Sequence, residues 1–347
     1  MEVRPLESHE REALLLLLDG WELPDGWRGR DFFRRYVEQD PTYADANVWV
    51  AEEDGALVSC VQIFPRALRL AGAEIPTGGI GSVFTAPPAR RRGIAEAVFV
   101  RTMQAMRERG FALGLLFGSE PIYARQGWRN WGVPAGVLQR SGAAPHDGPA
   151  LAPGVAIEPF VRARDLASVR ALHAAYCDAL SGTVVRDAAL WDASLEIAGN
   201  PDEEFLVARA NGELVAYARG VLVYHFVNVM ELGCRPGFEA ALAALVSRIL
   251  TPREADPWER AGRPSDQLRG VAVTAPLGFS PDLLTALAVA GISHREAGDS
   301  KTMLTCLDPG ALAARTGTRA KPGEPPLDYL ARLLPARDFT FWTADRF

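Results

Sequence analysis

The chain of 347 residues is longer than one ordinary domain of about 100–200 residues, so its length predicts two folding units. With 48% hydrophobic and 23% charged residues, the composition is that of a globular protein and excludes extended disorder. A formal net charge of −6 gives no general attraction to nucleic acid or to an anionic membrane, so neither is an expected partner. The four cysteines show no metal-ligand spacing, and no targeting or membrane-spanning segment stands out. We therefore expect a cytoplasmic protein without a metal site.

The first part of the chain has the pattern of helices, an antiparallel meander, and then one helix and one strand. Apolar residues at helical spacing indicate the helices, and β-branched and aromatic residues between turn residues indicate the strands. The predicted elements are helices at 10–18 and 31–38 before any strand, strands at 48–52 and 57–70, a strand ending at 85, a helix at 95–110 and a strand at 113–117.

A Gly-, Ala- and Pro-rich stretch at 141–154 is typical of a linker, and the order of elements after it repeats that of the first part. The predicted elements are a strand at 155–160, a helix at 165–180, a hairpin of 204–209 and 213–224, a strand at 226–231, a helix at 238–250 and a short helix at 327–334. We therefore predict three parts, which are residues 1–145, residues 154–310 and a C-terminal tail, residues 311–347.

Three consecutive arginines stand at the start of the helix predicted at 95–110. Two prolines, Pro87 and Pro88, end the preceding strand, and Arg90, Arg91 and Arg92 follow. Cations at a helix N-terminus oppose the helix dipole by about 0.3–1 kcal/mol each, so an anion such as a pyrophosphate would account for the cluster. The alternative interpretation is a solvated basic helix start.

A known family has this arrangement. The run Val83-Phe84-Thr85, followed by Arg90-x-x-Gly93-x-Ala95, resembles the acetyl-CoA signature of the GNAT (GCN5-related N-acetyltransferase) superfamily. The segment from 119 to 128, which includes Tyr123 and ends in Gly-Trp, resembles the element that follows the next strand in that family. Within the family the chain is similar to the Eis type, which has a second, degenerate acetyltransferase unit, but residues 256–347 are too few for its usual sterol-carrier-like domain.

The resemblance implies an α/β fold of two GNAT (acyl-CoA N-acyltransferase) units, each with a mixed, mostly antiparallel sheet flanked by helices. It also implies one acetyl-CoA site, in the first unit, because the matching segment around Arg235 has a single arginine and an acidic first turn. Ser119 and Glu120 also read as an ordinary helix start. The implied cofactor-binding residues are Val83, Phe84, Thr85, Arg90, Arg91, Arg92, Gly93, Ile94, Ala95, Glu96, Ser119 and Glu120.

Two catalytic residues follow from the resemblance. Tyr123 is the candidate acid, since a phenol with a pKa of about 10 is protonated at neutral pH and can donate to a departing thiolate. Phe347 is the candidate base through its α-carboxylate, as in Eis-type proteins. The alternatives are that Tyr123 packs a short helix and that the aromatic tail, Phe347 included, only ties down the chain.

The expected function is transfer of an acetyl group from acetyl-CoA to a primary amine of a small molecule, by direct transfer in a ternary complex. The acidic net charge is compatible with a polycationic acceptor. Two alternatives stay open. One is a non-catalytic acyl-CoA-binding or scaffold protein with the same fold, and the other is an acetyltransferase for a protein or peptide amine.

Overall fold

The computed structural model describes residues 1–21, 28–118, 121–133, 135–141, 151–197, 203–223, 226–251, 271–274, 280–298 and 301–347. The strands are β1 (Glu2–Pro5), β2 (Val48–Glu53), β3 (Ala56–Leu70), β4 (Ala73–Thr85), β5 (Leu113–Phe117), β6 (Arg129–Asn130), β7 (Ala135–Arg140), β8 (Val155–Pro159), β9 (Glu203–Ala210), β10 (Glu213–Val223), β11 (Phe226–Cys234), β12 (Val271–Thr274), β13 (Ile292–Ala297) and β14 (Thr302–Cys306). The α-helices are α1 (Arg11–Leu18), α2 (Gly29–Gln39), α3 (Ile94–Glu108), α4 (Pro121–Arg125), α5 (Arg162–Cys177), α6 (Ala188–Ile197), α7 (Glu239–Ile249), α8 (Pro281–Val289), α9 (Pro309–Thr316) and α10 (Pro326–Leu333).

Two seven-stranded sheets share one plan. The first has the strand order β1-β2-β3-β4-β5-β14-β6, and the second has β8-β9-β10-β11-β12-β7-β13 when read in the same sense. Neighbouring strands are antiparallel except for β4 with β5 and β11 with β12, which are parallel. The predicted fold class, an α/β fold with two mostly antiparallel sheets, is confirmed.

The two sheets exchange a strand. β7 belongs by sequence to the first part but lies between β12 and β13, and β14 belongs to the second part but lies between β5 and β6. The predicted boundaries at 145 and 310 follow composition along the chain, and they do not separate the sheets. Most of the linker predicted at 141–154, residues 142–150, lies outside the described residues.

Most of the predicted elements form, but the expectation that two helices precede any strand is wrong. β1 opens the chain and pairs antiparallel with β2, with Arg4 opposite Val50. The guanidinium of Arg4 also contacts the carboxylates of Glu10 and Glu52, at 2.8 and 2.5 Å. A strand of four residues is too short for a period-two pattern to show, so pairing with β2 defines it rather than its own sequence.

Helices cover both faces of the first sheet. α3 packs its apolar stripe, which includes Phe99 and Met106, against one face, where Gly78 and Ile80 of β4 lie. α1 and α2 pack on the opposite face with the aromatic ring of Phe64. Because successive residues of a strand point to opposite faces, Gly79 and Gly81 face away from α3.

Within the described part of the chain, no helix is both long enough and apolar enough to cross a membrane. Within the same residues, no three His, Cys, Asp or Glu side chains group as metal ligands would.

Candidate active site

The two central parallel strands of the first sheet separate partway along their length. β4 and β5 pair from Thr77 opposite Leu113 to Ile80 opposite Leu116, and there the pairing ends. β4 continues to Thr85 and stays paired with β3 on its other edge. Its edge from 81 to 85 therefore offers backbone N–H and C=O groups to a ligand that adds like a strand.

A β-bulge turns β4 where it leaves β5. Cys60 lies opposite Phe84 and Gln62 lies opposite Gly81, so β4 carries one residue more than β3 across this interval. Ser82 takes up the extra residue with a φ of 49°, which is uncommon for a residue other than glycine. Its buried hydroxyl donates to Oε1 of Gln62 at 3.0 Å. Such bulges bend a strand and re-aim its side chains, and they occur often beside active sites.

The loop before α3 presents backbone N–H groups to solvent. Gly93 caps the helix with a φ of 79°, and Arg91 also has a positive φ, of 62°. The first helical hydrogen bond runs from the N–H of Ala97 to the carbonyl of Gly93, which leaves the N–H groups of the first turn, at 94–96, without an acceptor in the described chain. N–H groups converging in such a turn at a helix N-terminus form a site for an anion.

The three arginines of this loop have different surroundings. The two carboxylate oxygens of Glu53 accept from Arg92, at 2.9 Å each. Nε of Arg90 donates to the carbonyl of Thr85 at 2.9 Å, which ties the loop to the end of β4. Arg91 is exposed, and no described residue pairs with it. Of the three arginines, Arg91 is therefore the one that we expect to pair with the anion inferred from the cluster.

A groove of about 610 Å³ joins the free edge of β4 to the start of α3. A cavity of that size is in the range of cofactor sites. Of the predicted cofactor residues, Arg92 is not part of its wall, and Ser119 and Glu120 lie outside the described residues. The walls are formed by Val83, Phe84, Thr85, Ala89, Arg90, Arg91, Gly93, Ile94, Ala95, Glu96, Pro121, Ile122, Tyr123 and Arg125.

Tyr123 closes this groove at the end of β5. Its ring is buried and packs on Phe99 of α3, with 5.1 Å between the ring centroids. A Cβ at Gly118 would lie 2.8 Å from the Tyr123 ring, so the glycine lets the ring approach the backbone after β5. Glu96 accepts from Arg125 at 3.1 and 3.2 Å across the rim, and this contact lowers the pKa of its carboxyl.

Phe347 lies on the other face of β4, at the point of separation. Its ring stacks on Phe64 at 5.0 Å between centroids and meets Phe117 of β5 at 5.8 Å. A Cβ at Gly79 would lie 2.2 Å from the ring, and a Cβ at Gly81 would lie 3.3 Å from the carboxyl carbon. Gly79 and Gly81 therefore make room for Phe347, and the bulge lies at the next residue of β4, Ser82.

Sequence reasoning missed residues that hold the site together. Ser82 carries the bulge, Glu53 neutralises Arg92, and Asp345 of the tail pairs with the buried Arg186 at 2.6 Å. Each of these contacts joins residues far apart in the chain, and no spacing or motif marks them.

The comparisons with known proteins agree with this geometry. Residues 2–130 match the family model described as an acetyltransferase (GNAT) domain. No curated protein sequence matches the chain.

Solved structures extend the likeness of fold to most of the chain. A GCN5-related N-acetyltransferase from Kribbella flavida has a TM-score of 0.63 at 19% identity, over 93% of this chain and 74% of that one. Eis1 from Mycobacterium abscessus has 0.60 at 20% identity, over 91% and 76%. N-myristoyltransferase from Saccharomyces cerevisiae, with bound myristoyl-CoA, has 0.55 at 11% identity, over 88% and 78%. Residues 2–130 therefore match the acetyltransferase (GNAT) domain family, and the fold of the chain as a whole is similar to the folds of these three structures, Eis1 included.

Proposed function

We propose that this chain is an N-acetyltransferase that moves an acetyl group from acetyl-CoA directly to the primary amine of a small molecule. The observation that carries the proposal is one groove that combines the free edge of β4, the start of α3, which has no side-chain cap, and Tyr123. A binding protein without chemistry would need the first two features and not a buried phenol beside them.

The residues present fit an acyl-CoA molecule. The edge of β4 from 81 to 85 offers a strand-like partner to the pantetheine arm, and the first turn of α3 offers N–H groups to the pyrophosphate. Arg91 adds a cation at the same turn. When bound, acetyl-CoA supplies the acetyl group as an activated thioester.

Tyr123 is the proposed acid. Its hydroxyl belongs to a buried ring in the groove wall at the end of β5, next to where the strands separate. A phenol is protonated at neutral pH, so it can give its proton to the sulfur atom as negative charge develops there.

Phe347 is the proposed base. Its carboxyl group lies beside Gly81 on the face of β4 opposite α3, so the gap between β4 and β5 separates the proposed acid from the proposed base. An amine that approaches from the Phe347 side can lose a proton to this carboxylate, directly or through a water molecule.

Direct transfer fits the surroundings of Cys60 better than a covalent route does. Cys60 is fully buried in β3, and its Sγ donates to the carbonyl of Ser82 at 3.2 Å. Burial raises the pKa of the thiol to about 12, which disfavours the thiolate that a cysteine nucleophile requires.

The first test is a calorimetric titration with acetyl-CoA. We expect one equivalent per chain in the wild type and a large loss of affinity in Arg91→Glu. Arg107→Glu, which makes the same charge change in the last turn of α3, is the matched control and should bind as the wild type does. Two equivalents, or equal binding by both variants, would contradict the single site.

The second test is thiol release with a panel of amines. Monoamines, polyamines, an aminoglycoside and a peptide with a free N-terminus distinguish the acceptor classes. Tyr123→Phe keeps the ring on Phe99 and should lower kcat strongly while acetyl-CoA affinity stays the same. Binding of acetyl-CoA without release for any amine would favour the scaffold function, and release with the peptide alone would favour a protein acceptor.

A third test concerns the base. Adding one glycine after Phe347 moves the carboxylate by about 3.8 Å, one residue spacing. We expect strongly depressed turnover with nearly unchanged acetyl-CoA affinity, and undiminished turnover would remove Phe347 from the mechanism.

A further inference from the structure

The C-terminal tail lies between the two units and contacts both. Trp342 is fully buried in the core of the second unit, and its indole N–H donates to Sγ of Cys177 at 3.3 Å. Phe339 and Phe341 pack with the strands of the first unit. Phe347 then returns to β4 of the first unit.

One buried ion pair fixes the tail between these contacts. Nε and Nη2 of Arg186 donate to the two carboxylate oxygens of Asp345, at 2.6 and 2.9 Å. The Arg186 side chain is 1% exposed and that of Asp345 is 6% exposed. A bidentate pair between planar groups fixes direction as well as distance.

The second unit holds Arg186 without help from the tail. Nη2 of Arg186 lies 2.6 Å from Oε2 of Glu231, a fully buried residue of β11, and the guanidinium lies over the ring of Trp191 at 4.5 Å. Glu231 also pairs with Arg219 at 2.9 Å. Although burial opposes ionisation, the charges of the two arginines hold the pKa of Glu231 at about 2, so this carboxylate stays ionised.

The seam beside the pair is closely packed. The space between α2, α6 and the tail, lined by Tyr36, Ser194 and Asp345 among others, is about 30 Å³. That volume has room for about one water molecule. The tail therefore has little freedom to shift unless the ion pair between Arg186 and Asp345 breaks.

We propose that Asp345 is a positioning residue, through which Arg186 of the second unit sets the place of Phe347 in the active site of the first. Phe347 is two positions after Asp345. A fixed Asp345 therefore keeps the Cα of Phe347, to which the carboxyl group is attached, within about 7 Å of its own Cα. The contacts of Phe347 with Gly79 and Gly81 then limit the positions that its carboxyl group can take. This inference rests on the proposed function of Phe347, and it gives the second unit a part in catalysis without a second acetyl-CoA site.

The test compares three variants of the full chain. Asp345→Asn removes the charge from the tail and keeps the shape of the side chain, and Arg186→Lys keeps the cation but cannot form the bidentate contact. Glu203→Gln is the matched control, because Glu203 is 9% exposed and pairs with the buried Arg219 at 2.6 Å without touching the tail. It removes the same kind of charge from the same network.

Two readouts separate positioning from general stability. Hydrogen exchange of the peptide that covers 340–347 should speed up at least tenfold in Asp345→Asn, less in Arg186→Lys, and not in Glu203→Gln. With the best amine, kcat should fall at least tenfold in Asp345→Asn while KM for acetyl-CoA stays within about twofold, and Glu203→Gln should keep its kcat.

Unchanged exchange in Asp345→Asn, or an equal rise in Glu203→Gln, would overturn the proposal. Should Asp345→Asn fail to fold, Arg186→Lys decides by the same two readouts. A wild type that transfers acetyl to no amine would refute the proposed function alone, and the exchange experiment would still decide the anchoring of the tail.

Discussion

The glycine at position 79 offers the sharpest test of how the C-terminal residue is seated. In Gly79→Ala the new Cβ would lie 2.2 Å from Cζ of Phe347 and under 3 Å from two further ring atoms. The ring must withdraw by about 1.2 Å to reach an ordinary contact of 3.4 Å, and the carboxyl group beside Gly81 moves with it.

The two consequences differ in size. Overpacking in a core costs about 1–3 kcal/mol, and a ring near the end of the chain can yield, so we expect a stability loss near the lower value. Displacing a reacting group by about 1 Å costs about 100-fold in rate. Gly79→Ala should therefore lower kcat by one to two orders of magnitude while acetyl-CoA affinity and fold persist.

Gly78→Ala is the matched control on the same strand. Its Cβ would meet Met106 of α3, on the opposite face, at 2.4 Å from the end of a flexible side chain. We expect kcat within about threefold of the wild type, measured as thiol release at saturating acetyl-CoA. Equal turnover in the two variants would refute the packing of the Phe347 ring against Gly79 as the cause. The same conclusion would follow if Gly79→Ala cost as much stability in a Phe347→Ala chain, where no ring meets the new Cβ.

Three further outcomes are expected. Gly93 and Gly110, at the two ends of α3, both have a positive φ and open space where a Cβ would lie, so replacing either with alanine should cost about 1–2 kcal/mol of stability. Gly93→Ala should also weaken acetyl-CoA binding in a calorimetric titration, whereas Gly110→Ala should leave binding unchanged. Burial lowers the pKa of His173 to about 3, so the unfolded chain takes up a proton below pH 6.5 that the folded chain refuses. The free energy of unfolding should therefore decrease as the pH is lowered through that window. Urea unfolding should show a loss of about 2 kcal/mol from pH 7 to pH 5, and this loss should be absent in His173→Gln. Residues 1–145 expressed alone should aggregate and show no turnover, because the β5 edge that β14 covers is then open; a soluble, active fragment would contradict this.

The first unit could be predicted because local patterns decide it. The apolar stripe that indicated a helix at 95–110 becomes α3, and the arginines and Gly93 before it mark the loop that presents N–H groups. Few residues other than glycine adopt a φ of 79° at a helix start, so the residue type at position 93 itself indicates this turn.

The remaining contacts could not be predicted because their partners are distant in sequence. Asp345 and Arg186 are 159 positions apart, and nothing local distinguishes this aspartate from Asp338, which is exposed. The bulge shows a similar limit. Ser82 bears the positive φ although glycines stand at 78, 79 and 81 of the same strand, and its hydroxyl donates to Gln62, which lies 20 positions away in the sequence.

The exchanged strands explain how the tail comes to the first active site. β14 pairs with β5 from Thr302 opposite Phe117 to Cys306 opposite Leu113, so the chain leaves the second sheet and resumes in the first. α9 and α10 then pack on the first unit, and the tail follows along the seam to β4. Without β14 in the first sheet, the 41 residues after it would begin from the second unit and have no fixed path to Gly81. Strand exchange and the Arg186 anchor therefore act on the same segment, one at its start and the other near its end.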